Sequence, residues 1–209
     1  MAARAIRISA GMLRNLSFAR AATFAALALG ATGCCRPELV GSVANTLKPQ
    51  ETNNWCWAAT TEMLANHFDL SASQCGLANH RFGKSNCCEA QTRGSSCPKT
   101  NDCNTPGWLE LTHVGLSFSE SGTARTWEAM RSEIYCGKRP MGYAYGTQGV
   151  VGHVLVVKGY VTVGSTRYLV LNDPWSPCSG TERLITYEEY ADPAGTATHW
   201  NTWYQLAKQ

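Results

Sequence analysis

The chain changes its hydrophobic period near residue 140, and this change constrains its fold more than any other feature. Upstream of it, apolar residues recur at helical spacing. Trp57, Thr61, Leu64 and Phe68 fall on one stripe, and Asn53 and Asn54 are good capping residues ahead of it, so a helix is predicted to begin near Trp55. Ser71 and Gln74 stand at capping-box spacing for a second short helix reaching about His80. Pro106 predicts a further helical stretch to about His113. Residues 126–135 predict another, with Trp127, Met130 and Ile134 on one face. Downstream, residues 140–144, 153–163, 166–172 and 182–186 have strand composition, and 198–205 is expected to close the sheet. Helices followed by antiparallel strands predict an α+β fold with an N-terminal helical lobe and a C-terminal antiparallel β-sheet lobe. A cleft between the lobes would bring the Cys56 helix against the His153 strand.

The first 33 residues differ in character from the rest. They carry Arg4, Arg7, Arg14 and Arg20, no acidic residue, and an apolar run over 21–30 that is too short for a bilayer span of about 20 residues. This reads as a signal peptide over 1–33, followed by a lead-in over 34–49 and a domain over 50–209. Residues 31–34, A-T-G-C, resemble a lipoprotein cleavage box that would make Cys34 a lipidated first residue and anchor the chain to a membrane. Ordinary cleavage after Gly30 fits as well, so both outcomes stay open. Either implies export, to the periplasm, the medium or a membrane surface. The formal charge of +3 becomes −1 for residues 34–209 once the four arginines leave. No basic cluster remains, which argues against a nucleic-acid partner or an anionic membrane surface.

Ten cysteines in an exported chain imply an oxidising compartment and disulfides. If Cys34 carries lipid and Cys56 stays free, eight remain for four bridges. Cys87 and Cys88 are expected to bond elsewhere, because neighbouring Cα atoms lie about 3.8 Å apart, closer than disulfide geometry prefers. Residues 82–105 read as a loop stapled by such bonds. A zinc site built from Cys75, His80, Cys87, Cys88, Cys97 and Cys103 is disfavoured by export and by the absence of paired C-x-x-C spacing. No metal or organic cofactor is implied.

The chemistry concentrates in Q-E-T-N-N-W-C-W-A-A-T, residues 50–60. Cys56 falls in the first turn of the predicted helix, where unpaired N–H groups and the macrodipole favour a thiolate. A thiolate nucleophile needs a base, and the base needs an orienting group. Among the five histidines, His67 lies eleven residues along the same helix and is too far by rise alone. His80, His113 and His199 stand in helical, loop or terminal contexts. His153 follows Gly152 at the mouth of the apolar run V-L-V-V, a place that suits a core-facing structural histidine or a general base. A two-residue turn at Gly164 and Ser165 would put Asn172 on His153's face of the hairpin; a one-residue change of register would put Asp173 there. The residues alone leave both open.

The segment N-W-C-W-A-A with Gln50 ahead of it, then G-H-V-L-V-V-K-G-Y and L-N-D-P-W, resembles the bacterial papain-like cysteine peptidases. These include secreted virulence peptidases, staphopains and double-glycine leader peptidases. The resemblance covers about Lys48 to Tyr190 and implies a papain-like two-lobed fold acting on protein or peptide substrates. It implies Cys56 as nucleophile, His153 as base, Asp173 of D-P-W as orienting acid, and Gln50 as an oxyanion donor beside the Cys56 N–H. Asn172 stays an alternative, because papain itself places an asparagine in that role. A papain-like deamidase or transglutaminase would share the same residues. A non-catalytic, disulfide-stapled binding lipoprotein would instead hold Cys56 oxidised or unreactive. The sequence carries no indication of oligomeric state.

Overall fold

A computed structural model describes residues 35–89, 102–147, 149–150 and 152–209. The predicted leader, Cys34 and Cys97 lie outside the described residues. The helices are α1 (Cys56–His67), α2 (Gln74–Phe82), α3 (Trp127–Arg131) and α4 (Tyr187–Ala191). A wider π-helical turn (Ser132–Cys136) continues α3. The strands are β1 (Val40–Ser42), β2 (Leu116–Ser121), β3 (Met141–Gly146), β4 (His153–Val163), β5 (Thr166–Asp173), β6 (Thr181–Thr186) and β7 (Thr198–Lys208). They form one antiparallel sheet in the order β2-β7-β3-β4-β5-β6, with β1 added alongside β4. Helices plus this sheet make the α+β, papain-like fold.

Helix α1 is buried on nearly every side, which is why it lacks the one-sided stripe of a surface helix. Met63 and Leu64 pack with Val154, Val156, Trp203 and Leu206 of the sheet. Trp55, Trp57 and Ala58 pack instead with Leu77, Ala78 and the disulfide cysteines Cys75, Cys87 and Cys103. The opposite sheet face is covered by Trp127, Met130, Ile134 and Tyr190 against Tyr143, Leu155, Val157 and Leu171. Thr60 Oγ1 donates to the Val154 carbonyl at 3.0 Å, which joins α1 to β4 directly.

Three expectations need correction. The 106–113 segment is not helical: 106–110 is irregular and 111–115 forms turns. Here the Glu110 N–H bonds to Thr61 Oγ1, and the close contact of Gly107 with the Trp57 ring leaves no room for a helical turn against α1. The cap of α2 is Ser73, whose side chain accepts from the Gly76 N–H, rather than Ser71. Gln74 is drawn away from a capping box by bonds to the Glu51 N–H and the Pro49 carbonyl. Strand β7 lies inside the sheet, because β2, unforeseen in the sequence, pairs along its outer side. The lead-in segment is extended, contributes β1 and is tied to the domain by its first described residue.

That tie is the Cys35–Cys136 disulfide, with Cys75–Cys88 and Cys87–Cys103 as further bridges. Cys178 is also disulfide-bonded. Adjacent Cys87 and Cys88 therefore bond to different partners, as their spacing demands. Such bridges suit an extracellular or periplasmic protein. No helix among the described residues is long and apolar enough to cross a membrane. The Cys35–Cys136 bridge closes a loop with sequence separation 101, against 13 and 16 for the Cys75–Cys88 and Cys87–Cys103 bridges, so its removal loosens the unfolded chain more than theirs. Replacing both cysteines by serine should lower stability by about 2–5 kcal/mol in urea unfolding; a change below about 0.5 kcal/mol would show that β1 pairing alone holds the segment.

Candidate active site

Cys56 opens α1 and is the one free cysteine among the described residues. Neither Asn53 nor Asn54 caps the helix. The cap position is Trp55, which makes no side-chain capping bond, so the first-turn N–H groups keep their hydrogens for another acceptor. Asn54 is spent elsewhere: its N–H donates to Asn104 Oδ1 at 2.9 Å and its Nδ2 to the Asn104 carbonyl at 3.0 Å. The two tryptophans beside Cys56 do similar work. Trp55 Nε1 donates to the Cys103 carbonyl at 2.8 Å and Trp57 Nε1 to the Thr105 carbonyl at 3.2 Å. Both indoles are fully buried. Together they bind the 103–105 segment to the helix start, and that segment leads into Pro106, Gly107 and Trp108 on the cleft wall. A Cβ at Gly107 would sit 2.7 Å from both Arg81 Nε and the Trp57 ring, so only glycine lets the wall approach this closely.

The opposite wall is decided by one irregularity in the sheet. The β4–β5 hairpin begins with Val163 opposite Thr166, the register of a two-residue turn. Left undisturbed, that register would put Asn172 on His153's face. Between Val157 and Gly159 it shifts, with Lys158 as the extra residue of a β-bulge, and beyond it Val157 faces Leu171 and Val156 faces Asn172. The shift exchanges the two faces of β5 relative to His153. Asp173 now shares His153's side, and His153 Nε2 lies 2.5 Å from Asp173 Oδ1. Asn172 is turned into the protein, where its Nδ2 donates to the Asn45 carbonyl at 2.8 Å and to Asn45 Oδ1 at 2.9 Å.

Asp173 accepts from three donors. Besides His153, the Trp175 N–H reaches Oδ1 at 3.0 Å and Arg183 Nε reaches Oδ2 at 2.8 Å. Burial by itself would raise the carboxyl pKa; the His153 bond and charge, the Trp175 N–H and Arg183 outweigh it and hold the group below its ordinary value. For His153, burial pulls the imidazole down, yet hydrogen bonds to Asp173 and to Cys56, with their charges, raise it from 6.5 to about 9. With Nε2 engaged by Asp173, Nδ1 is the ring nitrogen left for the thiol.

The remaining candidates are placed as follows. Gln50 is fully buried beside the cleft, and its Nε2 donates to the Thr52 carbonyl at 2.7 Å and the Asn53 carbonyl at 2.9 Å. Its Oε1 is buried without a partner. His67 bonds to the Ala44 and Lys138 carbonyls, His80 stacks on His113 and faces Glu110, and His199 contacts the Tyr190 carbonyl and Thr202. Cys75, Cys87, Cys88 and Cys103 are consumed by disulfides, and no group of three or more metal-ligating side chains is found among the described residues. Between the two walls runs a cleft of about 690 Å³ whose aromatic lining is Trp108, Trp175 and Trp200. Trp200 was not singled out from the sequence. Its indole packs against Gly146 and Gly152, where any Cβ would collide with it.

A central helix that delivers a thiol to an imidazole on a facing antiparallel strand is the layout of the papain-like cysteine peptidases. The fold is similar to that in a structural study of the mite allergens Blo t 1 and Der p 1, with TM-score 0.51 and 11% identity over 83% of this chain and 72% of that one. A digestive procathepsin L 3 from Tenebrio molitor larval midgut is also similar, with TM-score 0.48 and 12% identity over 82% and 71% of the two chains. No curated protein sequence matches significantly. The chain belongs to the Peptidase_C39 like family, whose model matches residues 44–209. It is a cysteine peptidase, a hydrolase of protein or peptide substrates.

The site geometry fixes a pH dependence. A base raised to about 9 keeps its proton through neutral pH and loses it as pH rises through that value. Asp173→Asn removes the carboxylate that raises it and leaves burial, which lowers it. The alkaline limit of peptide hydrolysis, a step that needs the protonated imidazole as general acid, read as kcat/KM against pH on the two proteins, should therefore move down from about 9 toward 6.5 in Asp173→Asn. An unmoved alkaline limit would mean that Asp173 does not hold the imidazolium.

Proposed function

We propose that the domain over 50–209 hydrolyses peptide bonds with Cys56 as nucleophile, His153 as general acid and base, and Asp173 as the group that orients His153. The observation that carries this reading is a free, buried thiol and the His153 imidazole on the wall of one aromatic cleft, with the imidazole bonded behind to a three-donor carboxylate. The Cys56 thiolate attacks the scissile carbonyl carbon and forms a C–S bond. As the C–N bond breaks, the His153 imidazolium gives its proton to the leaving amine. The neutral imidazole then takes a proton from water, hydroxide attacks the thioester, and the carboxylic product leaves with the thiolate–imidazolium pair restored.

The developing oxyanion needs donors in place before the reaction. The Cys56 N–H, at an uncapped helix start, is one. Gln50 is the second once one of its Nε2 hydrogens exchanges the Thr52 or Asn53 carbonyl for the oxyanion. Among the described residues the cleft lining carries no ionisable group besides His153 and the thiol, and apolar or uncharged peptide segments suit it. The leader over 1–33 exports the domain, and Cys34 becomes its first residue if it is lipidated.

Casein digestion tests the reading. Wild-type protein should generate new peptide termini, Cys56→Ser should lose activity by at least about 10³-fold, and Gln50→Ala should lose about 10²–10³-fold in kcat. Ammonia release without new termini would assign the site to deamidation or transglutamination. Intact mass after a thiol-directed epoxide should show one adduct, absent from Cys56→Ser; no adduct would support the non-catalytic binding lipoprotein instead. The same spectrum of exported protein reads lipid on Cys34 against plain cleavage.

A further inference from the structure

The bulge at Lys158 aligns more than His153 with Asp173. Tyr145 pairs with His153 across β3 and β4, and Arg183 pairs with Leu171 across β5 and β6, two residues from Asp173 on the same face. Tyr145, His153, Asp173 and Arg183 thus stand in one row over four adjacent strands. The row is bonded along its length. Arg183 Nε donates to Asp173 Oδ2 at 2.8 Å, and Arg183 Nη2 reaches the Tyr145 hydroxyl at 3.3 Å. The Tyr145 ring meets the His153 ring edge-on, with centroids 5.9 Å apart.

We propose that Arg183, steadied by Tyr145, is a positioning residue that locks the Asp173 carboxylate in its ionised, His153-facing orientation. This rests on the roles assigned above. A buried carboxylate presents two oxygens, and a free rotation about its last bond would exchange them. At Asp173 the oxygens have different partners: Oδ1 takes His153 and the Trp175 N–H, and Oδ2 takes the guanidinium. Rotation would break all three bonds together. The guanidinium also gives the site a reason to hold an acid here, since a neutral amide at 173 would leave its charge without a counter-ion on the row. Two effects of Arg183 on His153 oppose each other: its charge competes for the carboxylate, while its bond keeps that carboxylate ionised and aimed. Arg183 is about one-third exposed and so screened on its outer side, whereas the carboxylate and imidazole are enclosed, so the aiming effect prevails. The influence of Arg183 on Asp173 points the same way, because its bond adds to the larger effects of His153 and the Trp175 N–H that hold the carboxyl below its usual range. Beside Arg183 lies a cavity of about 130 Å³ lined by Tyr143, Ile185 and Glu189, so shorter or differently shaped side chains are accommodated without collision.

The test compares wild type with Arg183→Gln, Arg183→Lys and Tyr145→Phe. Two readouts are taken against pH: the rate of Cys56 alkylation and kcat and KM on a peptide substrate. Arg183→Gln should fold, raise the acid limb of both profiles by about one pH unit as Asp173 protonates sooner, and lower kcat about 10–100-fold with KM nearly constant. Arg183→Lys should recover part of the loss, and Tyr145→Phe should shift the acid limb in the same direction by less. Unmoved acid limbs in folded Arg183→Gln, or in Tyr145→Phe should the arginine variant not fold, would overturn the assignment. Alkylation reads the thiol without substrate. It therefore judges Arg183 even where wild type cleaves no peptide, an outcome that counts against peptide hydrolysis alone.

Discussion

The structure turns on one strand. β4 pairs with β3, β5 and β1, supports α1 through the Val154 carbonyl, and carries His153 at its first position. Because side chains alternate along a strand, a one-residue shift exchanges everything on its two faces. The bulge at Lys158 makes that shift within the β4–β5 ladder. Its consequence is chemical: a carboxylate rather than an amide meets the imidazole, and Asn172 is left to bind Asn45 in the interior. The Lys158 side chain pairs with Glu182 on β6, and the Lys158 carbonyl accepts from the Val43 N–H, so the bulge is held from two sides.

The other half of the site depends on burial. Helix α1 begins inside the protein, and its start is held by indole N–H bonds to the 103–105 segment instead of by a side-chain cap. That exchange keeps the first-turn N–H groups available at the cleft and fixes the wall that carries Trp108. The Cys87–Cys103 bridge anchors the same segment from its other side. In an oxidising setting a reactive thiol survives only if other thiols cannot reach it, and here the cysteines nearest in sequence after Cys56 are already bridged. The disulfides therefore keep Cys56 free of pairing with those cysteines as well as holding the fold.

Much of this was legible in the sequence, for identifiable reasons. The helix at Cys56, the long His153 strand and its hairpin follow from local composition and spacing, and local signals survive folding. Trp127, Met130 and Ile134 do line one face and are buried together. What was not legible depends on contacts distant in sequence. The one local mark of the bulge is Gly159 beside Lys158, and a strand glycine does not by itself say that a residue is inserted, so the choice between Asn172 and Asp173 could not be made from turn length. Residues 106–113 hold a proline at a plausible helix start, yet Trp57 and Thr61 claim their backbone. β1 and β2 are short or exposed strands that exist only as additions to β4 and β7. Arg183 was not singled out, because its bond to Asp173 exists only through the β5–β6 register, which puts the two on one face two residues apart.

The central claim is that a carboxylate from β5, brought round by the bulge, holds His153 protonated beside Cys56. An NMR titration of the His153 ring in carbon-13 histidine-labelled protein, assigned by its loss in His153→Gln, measures this most directly. A midpoint near 9 is the result this geometry predicts. A midpoint at or below 6.5 would show that burial dominates and that Asp173 does not reach the ring.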